Sequence, residues 1–112
     1  MSIALHEMLS ALYGVTSHIV NNPLVDEIDI AVTRFLPINP KRLSFTFVNL
    51  SVNIIYIAPS NQVAATFGIR LAPNGGMIVV QWDRDFEMVS QEWWATAAAN
   101  NSAVYCLENI AD

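Results

Sequence analysis

The stretch from Arg42 to Trp82 most constrains what this chain can become. Its first run, Leu43 to Ile57, alternates bulky and small polar side chains for much of its length, which is the period-two pattern of a half-buried sheet. Turn chemistry follows at Pro59-Ser60-Asn61 and Pro73-Asn74-Gly75-Gly76, with Gly68-Ile69-Arg70-Leu71 between them, and a second apolar run, Met77 to Trp82, closes the stretch. Asn74-Gly75-Gly76 supplies the positive φ angles of a tight turn. It is not a phosphate cradle, because no Lys-Ser/Thr follows and no helix opens there. The connector before it is expected to lie over the surface, with Phe67 and Ile69 tucked beneath.

The remainder of the chain extends this reading. From Asp26 to Leu36, Ile28, Ile30 and Val32 alternate with Asp29, Ala31 and Thr33, which predicts a first strand with one wet face. Pro37 and Pro40 bracket a turn, and Lys41-Arg42 is expected to be solvated where the next strand begins. Strands over 43–50 and 52–58, at Met77 to Trp82, around Phe86 to Val89, near Trp93-Trp94 and over Ala103 to Glu108 bring the count to about seven. Short, regularly spaced strands predict a mainly β domain, an antiparallel sandwich or small barrel, over residues 26–112. Ahead of it, Leu5, Met8, Leu9 and Leu12 fall on one helix face, with Ser2 placed to cap and Gly14 to terminate. Residues 1–25 are therefore expected to form a short amphipathic helix and an arm, connected through Asn21-Asn22-Pro23.

Composition sets what such a domain can do. Of 112 residues, 54% are apolar and only 13% charged, about half the share usual in a soluble domain. With a mean hydropathy of +0.38 there is more apolar surface than one small core hides, which predicts coverage by partners in an oligomer or shell. No run approaches the 18 or so apolar residues that span a bilayer, and the N-terminus lacks the layout of a secretory signal, so the chain is read as used without export or membrane. A net charge of −5 with five basic residues argues against nucleic acid. Cys106, the one cysteine, permits no internal disulfide and is expected to be a buried hydrophobe on a late strand.

Few side chains invite chemistry. Asp83, Asp85 and Glu87 at alternate positions would share one face of a strand, as a Ca²⁺ site or an acid/base pair needs, but the Gly and Asn spacings of a calcium loop are missing, and a solvated face is expected. His6, His18 and Cys106 do not make a zinc set, and no nucleophile elbow is present. The reading is non-enzymatic, with no cofactor and no metal. Trp93 and Trp94 carry more information. On a strand they point to opposite faces, one to the core and one to a partner or a sugar ring; on a helix, which Ser90-Gln91-Glu92 and Ala97 to Ala99 would permit, both could share a broad apolar face.

The succession Asn39-Pro-Lys-Arg42, Phe47-Val-Asn-Leu-Ser51, Ile55-Tyr-Ile57, Pro59-Ser-Asn61, Phe67-Gly-Ile-Arg-Leu71, Pro73-Asn-Gly-Gly76, Trp94-Ala95 and Val104-Tyr-Cys-Leu-Glu108 resembles small β-sandwich proteins of tailed bacteriophage virions. The resemblance covers roughly two-thirds of the chain. It departs from the bare pattern in the segment before Pro37 and in the doubled Trp93-Trp94. It implies a non-enzymatic virion protein: a capsid decoration or cement protein that binds the major capsid protein as a homo-oligomer, or alternatively a tail, fibre or baseplate module that reads a host glycan. Interface positions expected on this reading are Leu5, Met8, Leu9, Leu12, Trp93 and Trp94.

Overall fold

A computed structural model describes residues 17–20 and 26–112, and in it nine strands form two antiparallel sheets. They are β1 (Ser17–Val20), β2 (Glu27–Ile28), β3 (Thr33–Leu36), β4 (Arg42–Asn49), β5 (Ile55–Ala58), β6 (Ile69–Leu71), β7 (Met77–Gln81), β8 (Trp93–Ala97) and β9 (Ser102–Ala111). Between β7 and β8 the chain makes one turn of helix, α1 (Trp82–Asp85), and a 3₁₀ segment, Phe86–Ser90. The first sheet runs β1-β9-β4-β7, with β2 also paired to β9, and the second runs β3-β8-β5-β6.

The pairings are nested. β5 pairs with β6, β4 with β7, β3 with β8 and β2 with β9, so flattened out the chain would be one long hairpin with β5 and β6 at its tip. Further pairings of β4 with β9 and β5 with β8 show that hairpin wound around itself into two facing sheets. This winding is a jelly roll, a sandwich that uses closure of the two sheets on each other to limit exposed edges. The expected sandwich is present.

Period two explains the core. In β4, Phe45, Phe47 and Asn49 point inward while Thr46 and Val48 do not; in β8, Trp93, Ala95 and Ala97 are buried and Trp94 and Thr96 lie on the other face. Between the sheets the Phe35 and Phe47 rings lie 4.4 Å apart, and Phe45 meets Trp93 edge-on at 5.3 Å. Ile28, Leu36, Ile55, Ile57, Leu71, Val80, Val89, Val104 and Cys106 fill the rest of the cluster.

Several expectations are corrected. Residues 26–36 are two strands in different sheets, because the chain crosses at 29–32 from one layer to the other. Ile30 and Val32 are exposed there, and the crossing is held instead by polar bonds to the β8–β9 turn: Asn101 N–H donates to Asp29, Ile30 N–H to Asn100, and Thr96 Oγ1 to the Ile30 carbonyl. Phe86–Ser90 is 3₁₀ rather than strand, with Phe86 at φ 56°, so the carboxylates of Asp83, Asp85 and Glu87 share no strand face. Phe67 and Ile69 are exposed, since Val63 fills the space under the connector. Ser17–Val20, expected in the N-terminal arm, pairs with β9, and the strand expected from Val52 begins at Ile55. Trp93 and Trp94 sit on a strand, not a helix. At the turn before β7, Asn74 and Gly75 take positive φ as expected, whereas Gly76 is required for another reason: a Cβ there would overlap the Ala72 backbone. The helix expected at Leu5, Met8, Leu9 and Leu12 lies outside the described residues.

Candidate interaction surface

Two buried polar side chains, one at each end of β4, hold the loops at the two ends of the sandwich. At the first end Arg42, expected to be solvated, is 2% exposed. Its Nε donates to Glu108 Oε2 at 2.8 Å, one terminal nitrogen donates to the carbonyls of Val89 and Gln91, both at 3.1 Å, and the other to the Pro37 carbonyl at 2.9 Å. The guanidinium also lies 6.0 Å from the Phe45 ring centroid. A planar fork with fixed donors suits this arrangement, whereas a lysine has one point of charge. Arg42 thereby ties the 37–41 turn, the 3₁₀ segment and the end of β9 together.

At the other end Asn49, fully buried, donates through Nδ2 to the carbonyls of Asn53 (2.7 Å), Leu71 (3.2 Å) and Ala72 (3.1 Å). Its Oδ1 accepts from the Ser51 amide at 3.0 Å and the Ser51 hydroxyl at 2.7 Å. The 50–54 loop and the turn before β7 are thus locked to one amide. Asn49 was readable in phase with Phe45 and Phe47. Arg42 was not, because a bulge between Arg42 and Ser44 shifts the phase of β4.

With its ends fixed, the outer face of the first sheet is defined by register. One row across it reads Ile19, Asn109, Ser44, Gln81; the next Leu107, Thr46, Val79; the third Tyr105, Val48, Met77. None of these ten side chains is charged; the row beyond them, Ala103 and Glu27, carries a carboxylate at the end of the face. Ile19 is 69% exposed and Met77 56%. A shallow depression of about 200 Å³ opens at Ile19, Ser44, Thr46, Leu107, Glu108 and Asn109, with the Glu108 carboxylate turned inward to Arg42. Strand spacing near 4.8 Å and a two-residue rise near 6.8 Å put this uncharged area on the order of 400 Å². Six of the ten side chains are apolar or aromatic, and the other four are neutral polar groups.

The opposite outer face has a different character. Arg34, Tyr56, Arg70, Trp94 and Thr96 project from the second sheet, and Arg34 lies 3.6 Å from Glu92. Of the two expected tryptophans, Trp93 is fully buried and donates its indole N–H to the Met88 carbonyl at 3.0 Å, so it is core and not a surface anchor. Trp94 is half-buried on the outer face, and its indole nitrogen is covered yet has no hydrogen-bond partner.

A third exposed apolar group sits at the Arg42 end. Phe86 is 75% exposed, and with Pro40, Leu43 and Trp82 it borders an open hollow of about 360 Å³. Its positive φ at a bulky side chain stores on the order of 1–3 kcal/mol of strain. Beside it, Asp85 accepts from the Gln81 amide at 2.9 Å and pairs with Arg84 at 2.8 Å. The Arg84 bond, with help from the Gln81 N–H, holds the Asp85 carboxyl below the usual carboxylate range, and the same bond raises Arg84.

Among the described residues no three His, Cys, Asp or Glu side chains converge as a metal ion needs. His18 bonds Asp112 at 2.6 Å at the surface, and His6 lies outside the described residues. The Cys106 thiol is buried as expected and pushed up to about 12, by burial first and the Glu108 charge second, against a smaller opposing effect of Arg42. A thiol held that high is not a nucleophile at neutral pH. No described helix is long and apolar enough to cross a membrane. Comparison with protein-family models, with characterised proteins and with solved structures finds no match for this chain.

Proposed function

We propose that this protein is a non-enzymatic structural component of a tailed bacteriophage virion, a decoration protein that binds the outside of the capsid shell and forms homo-oligomers there. The observation that carries the reading is the uncharged outer face of the first sheet, from Ile19 across to Gln81 and Met77. The resemblance of Asn39 to Glu108 to virion β-sandwich proteins supports it. About 400 Å² is half of what one side of a standard interface buries, so a single contact through this face is weak. Repetition over a shell lattice supplies the missing affinity, because each further contact of an oligomer is made at high effective concentration. Neutral, half-apolar rows suit a partner surface of the same kind, and no desolvation of charge opposes the contact.

The outer face of the second sheet favours a second reading. Trp94 and Tyr56 flanked by Arg34 and Arg70 make a platform on which a tail or fibre module would stack a host sugar. A jelly roll serves shells and lectins alike, so the fold does not choose between them. Native mass spectrometry followed by co-sedimentation with shells that lack the protein separates the two. The shell reading expects a defined oligomer that saturates the shells at fixed stoichiometry. A species that ignores the shells and binds host glycans overturns it in favour of the second.

A further inference from the structure

The edge of the first sheet at β7 is the longest straight free edge among the described strands, and it carries neither charge, proline nor bulge. Such an edge is a template for a further strand. Its free backbone groups belong to the odd residues. The Val79 carbonyl accepts from the Arg84 guanidinium and the Gln81 amide donates to Asp85, both on α1, so residues 77, 79 and 81 turn their N–H and C=O groups away from β4. Helix α1 thus folds back over the strand it follows and occupies two of the groups that a neighbour would need. Arg84 and Asp85 are also bonded to each other, at 2.8 Å, so the cover is closed on itself. The residue that ends α1 is Phe86, with its positive φ and exposed ring. Opening the cover would let that backbone relax.

We infer that β7 is a pairing strand for β7 of a second copy, held closed by the Arg84–Asp85 cover. The register follows from the symmetry of a two-fold contact: Val79 faces Val79 of the other copy, and Met77 faces its Gln81. With residues 77, 79 and 81 all turned outward, this register makes about six backbone hydrogen bonds and no like-charge contact. It joins the two first sheets edge to edge, so the uncharged outer faces of both copies become one continuous face of twice the width. The pairing is read from backbone direction and edge chemistry, and it stands whether the partner of that face is a shell or not.

The test is the association state of the full chain with and without the cover. Arg84→Ala with Asp85→Ala removes both side chains that occupy the edge. Sedimentation velocity across a concentration series is expected to show the uncovered variant dimerising at least tenfold more tightly than the wild type. Adding Val79→Pro, which removes one outward N–H and no ladder bond to β4, returns it to monomer. Val79→Cys in the uncovered variant places two thiols across the two-fold axis, about 5.5 Å apart at Cα, and oxidation is expected to trap a covalent dimer. An uncovered variant that remains monomeric, or a dimer that survives Val79→Pro, overturns the proposal. Should the double alanine variant fail to fold by circular dichroism, oxidation of Val79→Cys in the milder Arg84→Ala variant, which frees the Val79 carbonyl at the two-fold axis, decides: a covalent dimer supports pairing, and its absence at high concentration refutes it.

Discussion

Replacing Arg42 by alanine is expected to come close to unfolding this domain. The substitution removes the partner of Glu108, whose side chain is only 13% exposed, and leaves a largely buried carboxylate unpaired. Breaking a buried pair in this way costs about 3–5 kcal/mol. The carbonyls of Pro37, Val89 and Gln91 lose their donor at the same time, and the buried one, that of Val89, adds on the order of 1 kcal/mol when left unpaired. These terms share one site and do not add fully, so about 4–6 kcal/mol is the working figure, against a total of roughly 5–15 kcal/mol for a domain. Urea unfolding followed by tryptophan fluorescence measures it, provided the slope with denaturant is unchanged between variants. Glu108→Gln supplies the control. Once residue 108 is neutral, losing Arg42 no longer strands a charge, so the double variant is expected to be more stable than the sum of the singles by about 1–3 kcal/mol. An Arg42→Ala midpoint within 1 kcal/mol of wild type, about the worth of one ordinary hydrogen bond, would refute the view that this guanidinium anchors the end of the sandwich. Strict additivity in the cycle would refute its coupling to Glu108.

Other residues give sharper contrasts than their neighbours suggest. Trp93→Ala is expected to lose about 3–5 kcal/mol, whereas Trp94→Phe, which removes a covered indole N–H that bonds nothing, should be neutral or slightly stabilising in the same urea assay; the reverse ranking would contradict the alternation in β8. Cys106 is expected to resist alkylation at pH 8 in the native state and to react only as the protein opens, so labelling should follow urea unfolding; rapid native labelling would contradict a thiol pushed up to about 12. Asp85 has a folded pKa below its unfolded value, so its contribution is present above the ordinary carboxylate pKa of about 3.9 and is lost as pH falls through the lower folded value. An NMR titration of the Gln81 amide, which bonds that carboxylate, should therefore show a midpoint below 3.9, and a midpoint at or above it would contradict the Arg84–Asp85 pairing.

What could be read from the sequence, and what could not, divides by the range of the interaction. Alternation gave Trp93 and Trp94 opposite faces on a strand, with a helix left open as the alternative, and it put Cys106 inside a late strand; Asn49 shares the phase of two core phenylalanines, but nothing in the sequence marked it as an anchor. The same alternation misled at Ile28-Asp-Ile-Ala-Val32, because a chain crossing between sheets needs the identical letters with different partners. Only the Asn100-Asn101 turn, seventy residues downstream, shows that Ile30 belongs to the crossing. Arg42 escaped for a local reason, a bulge that shifts phase, and a distant one, Glu108, the one charged residue of β9. The uncharged face was invisible for a different cause. Each of β1, β4, β7 and β9 contributes only one to three of its residues, and no single strand looks unusual until register places them side by side. Likewise Asp83, Asp85 and Glu87 suggested one strand face, but Asp85 is used by the backbone of the preceding strand, which ends β7 and turns the chain into α1.

On the proposed function, the uncharged rows of the first sheet are the surface that meets the capsid shell. Thr46 stands in the middle row of that face, paired with Leu107 on one side and Val79 on the other. The most direct measurement is quantitative co-sedimentation of wild type and Thr46→Lys with shells lacking the protein, with circular dichroism to show that both are folded. Saturable binding is expected of wild type, and at least tenfold weaker binding of Thr46→Lys, since a lysine there must be desolvated without a partner. Equal binding by the two folded proteins, or no binding by wild type, would contradict the proposed function.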